Sequence, residues 1–152
     1  MNALHPRVRL LWWLRLAVSG AVLGAVVAVA AVVLDRSPAF GAAPFAAVAV
    51  LAVPYVLIKY RRWGYRVEDD ALALERGVLT VVESSVPYVR VQHVDTQRGP
   101  VERLLGLSRV VVYTAGSRGA DVSVPGLDTE RAEELHDRLR RLAVESEPED
   151  GV

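Results

Sequence analysis

The sequence has no cysteine and a single methionine in 152 residues. Without thiols there is no disulfide staple, no thiolate nucleophile and no cysteine-ligated zinc. Histidine is nearly as scarce: His5, His93 and His136 are the only three. No two stand at the spacing of a metal-binding pair, and neither HExxH nor GxSxG occurs. No glycine-rich loop precedes a helix in the manner of a phosphate cradle. Lysine is reduced to Lys59, every other cationic side chain being arginine. These absences leave little machinery for chemistry. The expectation is a protein that is not an enzyme, with no catalytic residues, no metal and no cofactor.

Charge is missing locally as well. Residues 16–34, LAVSGAVLGAVVAVAAVVL, and 39–58, AFGAAPFAAVAVLAVPYVLI, contain no ionic side chain. At helical rise each run is about 28–30 Å long, the thickness of a bilayer's hydrocarbon core. Only Asp35-Arg36-Ser37-Pro38 separates them, so two helices joined there must be antiparallel neighbours. A cleaved signal peptide is the alternative for the first run, with small residues at 28–31 imitating a cleavage site. The run exceeds the usual apolar core of about 7–15 residues, and a second run follows at once. Ser19 is the one hydroxyl-bearing Ser or Thr in either span, so no transport path is legible. Pro54 is expected to kink or loosen the second helix. Gly20, Gly24 and Ala28 form a row of small residues that either packs within the hairpin or serves a homo-oligomer or another protein.

A net charge of zero conceals a partition. Residues 1–62 hold seven cationic side chains against one acid, and residues 63–152 eleven against seventeen. Arg7, Arg9 and Arg15 precede the first span. Lys59, Arg61, Arg62 and Arg66 follow the second, while the connecting loop has Arg36 beside Asp35. Positive-inside logic puts both termini in the cytoplasm of a multi-pass protein of the inner (cell) membrane. Trp12, Trp13, Tyr55, Tyr60 and Trp63, with Arg15, Lys59, Arg61 and Arg62, form the expected membrane-interface set. The acidic remainder is a poor partner for nucleic acid. The chain thus divides into three regions: 1–62, an N-terminal segment with the hairpin; 63–144, a cytoplasmic domain; and 145–152, ESEPEDGV, a disordered acidic tail.

Beyond Trp63 the apolar period falls to two. Strands are expected near 65–68, 72–75, 78–83, 88–97, 108–114 and 121–125, with turns at Asp69-Asp70, Arg76-Gly77, Ser84-Ser85 and Gly116–Gly119. This spacing suits an antiparallel sheet or partly closed barrel. Asp128 should cap a helix whose stripe is Ala132, Leu135, Leu139 and Leu142. In RVQHVDTQRGPVERLLGL, Pro100 suits the first position of a short helix and Gly106 the position past its end. Its aliphatic face, Val101, Leu104 and Leu105, is expected to be buried. Val94 breaks the phase of Val89 and Val91, which suggests a bulge near Gln92-His93. Arg103 is expected to pair with Asp95 or Glu102, and His136 to be merely solvated.

The run VPYVRVQHVDTQRGPVERLLGLSRVVVYTAG, preceded by WGYRVEDDALALERGVL and followed by VPGLDTERAEEL, resembles the pleckstrin-homology-like (PH-like) domain of the YdbS-like family of bacterial membrane proteins. The resemblance covers residues 10–143. Its most specific part is Val91, Gln92, Val94, Gly99, Pro100, Arg103, Leu104, Gly106 and Leu107, with His93 where Asn is commoner. It implies a two-helix transmembrane hairpin followed by a mainly-β PH-like domain: two nearly orthogonal antiparallel sheets with a C-terminal capping helix. Six strands are legible where seven are implied, so one is short or arises by splitting 88–97. The implied role is a scaffold or accessory subunit at the membrane, beside a larger membrane protein with several PH-like domains. The tentative partner-binding lip is Gln92, His93, Asp95, Gln97, Arg98 and Arg103. A second reading is a sensor of anionic lipid headgroups through Arg61, Arg62, Arg66 and Arg118. Against it, the first hairpin turn is Glu68-Asp69-Asp70, which would repel phosphate. A third is an enzyme using His93, with Asp95 two residues on to orient it.

Overall fold

The computed structural model describes residues 2–115 and 121–146. The turn expected at Gly116–Gly119, Arg118 within it, and tail residues 147–152 lie outside the described residues. The chain forms two compact units: Arg9–Arg61, and the residues up to Val8 together with those from Arg62 onward.

Two long helices make the first unit. Helix α1 spans Val8–Val33 and α2 spans Ala42–Arg62, the latter running unbroken through Pro54. Between them Asp35 adopts φ 51°, and Pro38–Gly41 forms a single 3-10 turn. The Ser37 hydroxyl oxygen accepts the Ala39 N–H at 3.3 Å and caps that turn. The small-residue row is used inside the hairpin. A β-carbon on Gly24 would lie 2.8 Å from the Gly41 carbonyl oxygen, and one on Gly20 3.1 Å from Val48 Cγ1. The Ser19 hydroxyl donates to the Arg15 carbonyl at 2.9 Å, so it presents no unsatisfied group to an apolar surrounding. Only 17% of each apolar window is buried within the protein, which is not the pattern of a water-soluble core helix. Val18, Val22, Val26 and Val29 are all more than half exposed.

The second unit contains two antiparallel sheets. One has the order β1(Asn2–Ala3), β2(Gly64–Val67), β3(Ala71–Arg76), β4(Val82–Pro87). The other has β5(Val91–Gln97), β6(Leu107–Thr114), β7(Val122–Asp128). Helix α3, Pro100–Leu104, joins β5 to β6, and α4, Thr129–Glu145, packs over β5, β6 and β7. The Asp128 carboxylate accepts the Arg131 N–H at 2.8 Å, the expected cap. Ala132, Leu135 and Leu139 are buried. They close the core against Leu72, Leu74, Leu107, Val110, Val112, Val124 and Leu127, none more than 1% exposed.

Four expectations change. The seventh strand is Asn2–Ala3, which pairs with Gly64 and Tyr65; it does not come from splitting 88–97. Residues 2–8 therefore belong with the sheets and not with the hairpin. His5 N–H donates to the Gly126 carbonyl at 2.8 Å. Gly126 has φ 64°, and any β-carbon there would strike the buried Val8 side chain, so glycine serves both the register shift of β7 against β6 and the close approach. Second, β4 begins at Val82 and not Val78, and Ser84-Ser85 is mid-strand, paired with Leu74 and Ala73. This is an edge strand, where serine meets water at little cost. Third, residues 88–90 make a 3-10 turn. Tyr88 is buried there, its hydroxyl 2.8 Å from the Ala71 carbonyl and 2.9 Å from that of Glu68. Burial raises its pKa, with Arg138 acting in opposition. Fourth, Glu145 is helical and does not belong to a tail.

Candidate functional site

Strand β5 is an edge of its sheet, and its register against β6 is interrupted. Val91 stands opposite Thr114 and His93 opposite Tyr113, so Gln92 has no partner across the ladder. This is the bulge expected from the phase break at Val94, and it turns the strand beside α4. Between them lies a groove of about 420 Å³. Val91, Gln92, His93 and Val94 form one wall, and His136, Arg140, Ala143 and Val144 the other.

The helix wall is what sequence reasoning missed. His136 is not simply solvated: its Nε2 lies 3.1 Å from the Val94 carbonyl, which can only accept, and its Nδ1 3.1 Å from Asp137 Oδ1. This bond ties α4 to the edge strand at one end of the groove. Arg140 and Val144 are exposed, so period counting assigns them to the solvent face. Only the packing of α4 on β5 shows that they border a concavity.

The other residues of the expected lip are distributed. His93, Asp95 and Gln97 alternate along β5. His93 Nε2 meets Asp95 Oδ1 at 2.6 Å, the His93 ring lies 6.0 Å from the Tyr113 ring, and Gln97 Nε2 donates to the Tyr113 hydroxyl at 3.3 Å. Arg98 pairs with Glu133 of α4 at 3.3 Å. Arg103 is exposed on α3 and does not line the groove. Its expected partners are engaged elsewhere: Asp95 with His93, and Glu102 with Arg109 at 3.0 and 2.5 Å.

The short helix reverses expectation. Leu104 is 87% exposed and Glu102 is 3% exposed. Besides the two bonds from Arg109, Glu102 accepts the Gly99 N–H at 2.6 Å. The helix is therefore seated by a hydrogen-bonded, buried carboxylate, with Val101 and Leu105 half-buried and Leu104 in water. Pro100 opens it and Gly106 follows it with φ 65°, as expected.

Among the interface set, Lys59 Nζ sits 4.6 Å from the Trp12 ring centroid and 5.5 Å from that of Tyr55, and Arg9 lies 4.9 Å over Tyr60. These are cation–π contacts at one end of the hairpin. Trp13 is half-buried, while Arg15, Arg61 and Arg62 are exposed. Trp63 differs: it is buried and meets Tyr65 edge-on at 6.5 Å, so it is a core residue of the β unit. A second concavity, about 530 Å³, lies between α4 and the start of the first sheet. Its edge strand is only Asn2–Ala3, too short to template a partner strand.

A family model described as bacterial PH domain matches residues 12–143. The UPF0699 transmembrane protein YdbS of Bacillus subtilis (strain 168) is 36% identical over 96 residues, covering 63% of this chain and 57% of the relative. The UPF0699 transmembrane protein YdbT of the same organism is 27% identical over 101 residues, 66% of this chain and 20% of the relative. The chain thus spans little more than half the length of the first and a fifth of the second. No solved structure matches it.

Proposed function

The chain belongs to the bacterial PH domain family and is a membrane-associated PH-like protein, and from that premise we propose that it is a scaffold or accessory subunit acting through protein–protein contact. The observation that carries this reading is the open groove beside β5, where Gln92 has no partner across the ladder. An extended segment of a partner laid along such an edge gains main-chain hydrogen bonds, and the opposing helix selects its side chains. Arg140 favours a segment carrying a carboxylate. The proposed partner is a larger membrane protein with several PH-like domains.

Binding accounts for the site better than catalysis does. His93 and Asp95 are at base-and-orienter distance, but their side chains are 67% and 40% exposed, open to water that a reacting site excludes. We place the protein in the inner membrane with both termini cytoplasmic, in keeping with the arginine and lysine flanks.

The test is purification of the full chain in mild detergent, with identification of the protein that accompanies it. Arg140→Glu should reduce recovery of that protein at least tenfold, and Arg103→Glu should leave it unchanged. Both side chains are exposed, so neither reversal should unfold the domain. Equal recovery with both variants would overturn the groove reading.

A further inference from the structure

Residues 77–82, GVLTVV, have the composition of a buried strand and are not one. Gly77 turns the chain with φ 129°, a conformation closed to other residues here because a β-carbon would collide with the Thr80 carbonyl. The apolar residues then project from the tip of the β3–β4 connection. Leu79 is 97% exposed, Val81 47% and Val82 42%. A water-soluble domain seldom presents such a cluster without a surface to receive it.

The loop's tether identifies that surface. Arg62 Nη1 donates to the Val78 carbonyl at 2.8 Å. Arg62 is the last residue of α2, and the candidate span runs Pro38–Arg62. The backbone next to Leu79 is therefore held within one side chain's length of the point where the chain leaves the apolar span. Arg62, bonded to the loop, and Arg76, paired with Val82, supply positive charge beside the tip, and the acidic pair Glu75 and Glu83 lies one step further along the ladder. Exposed leucine and valine, rimmed by arginine and fixed at the end of a span, have the composition of an interfacial membrane contact.

We infer that the β3–β4 loop dips into the headgroup–acyl boundary of the bilayer that holds the hairpin, with Leu79 as its deepest residue. The occupant of this patch is lipid, because the loop is hydrogen-bonded by Arg62, the residue at which the chain leaves a candidate span. The inference is separate from the groove, and it rests on α2 entering the membrane. Insertion gives the β unit a third attachment besides the chain connections at Val8–Arg9 and Arg61–Arg62.

The absence of native cysteine makes the test direct. Three single-thiol full-length variants, Leu79→Cys, Val22→Cys and Asp137→Cys, carry an environment-sensitive fluorophore in nanodiscs of phosphatidylcholine and phosphatidylglycerol. Val22 lies mid-span, and the Asp137 side chain is 72% exposed on α4. The expected result at 79 is blue-shifted emission, loss of most of the signal to a shallow spin-labelled lipid and protection from aqueous iodide. Position 137 should show the reverse. Iodide quenching at 79, with Val22 still quenched by lipid, overturns the loop inference and leaves the spans intact. Protection at 79 from both quenchers overturns it in favour of a protein contact. Iodide quenching at Val22 removes the membrane premise itself.

Discussion

Glu102 and Ser108 show what single residues conceal from sequence reasoning. Glu102 is legible only as a partner for Arg103, and nothing in the spacing indicates that Arg109, on the next strand, folds back over it. A serine beginning a valine-rich strand reads as ordinary, yet its hydroxyl is fully buried and has no hydrogen-bond partner among the described residues. The two should respond oppositely to truncation. Glu102→Ala leaves Arg109 and the Gly99 N–H without their acceptor. Because Arg109 is already a third exposed, the loss should be about 2–3 kcal/mol, toward the low end for a broken buried pair. Ser108→Ala removes a buried group that pays its desolvation cost without return, so stability should be unchanged or rise by up to about 1 kcal/mol. Hydrogen exchange at the β6 amides of the full chain in micelles measures both. A loss in Ser108→Ala equal to that in Glu102→Ala would contradict this account.

Among the elements, those set by local chemistry are legible in the sequence. The two spans are marked by missing charge, α4 by its cap and stripe, and the β5 bulge by one valine out of phase. Register is not legible. Val78–Val82 have the β-branched character of a strand, but Gly77 and the loop geometry move the paired segment to 82–87. Two serines then occupy an edge strand because water can solvate them. The groove is half legible: its strand wall stands out in the sequence by its polar residues, whereas its helix wall consists of residues that any amphipathic helix turns outward. The hairpin contact allows a further test. Gly24→Leu forces a side chain against the Gly41 carbonyl and must push the helices apart, at about 1–3 kcal/mol of overpacking. Val26→Leu, on a position 61% exposed, should be neutral. Denaturation monitored by far-ultraviolet circular dichroism in detergent distinguishes them, and equal midpoints would exclude the close approach.

For the whole molecule, connectivity supports the topology that charge suggests. The segments flanking the two candidate spans, 2–8 and 62 onward, fold into one compact unit, so insertion of both spans as proposed puts these segments on the same side of the bilayer. The proposal that this side is cytoplasmic rests on the positive flanks. Alkaline phosphatase fused at Ser37 should therefore be active, and the same enzyme fused at Val152 inactive. The opposite pattern would invert the protein, and activity at both sites would break the hairpin.

Asn2 and Ala3 leave the ribosome about sixty residues before Tyr65 and Gly64, with which they pair. The earlier-synthesised strand of this pair is thus among the last to find its place. Its docking must wait until two hydrophobic segments have been delivered to the insertion machinery, and the closure of so long an intervening loop is slow. Completion of the sheet then reports that both segments were inserted with their ends on one side. A chain whose second segment missed the bilayer would hold β2 with an open edge, a defect that quality-control proteases could recognise.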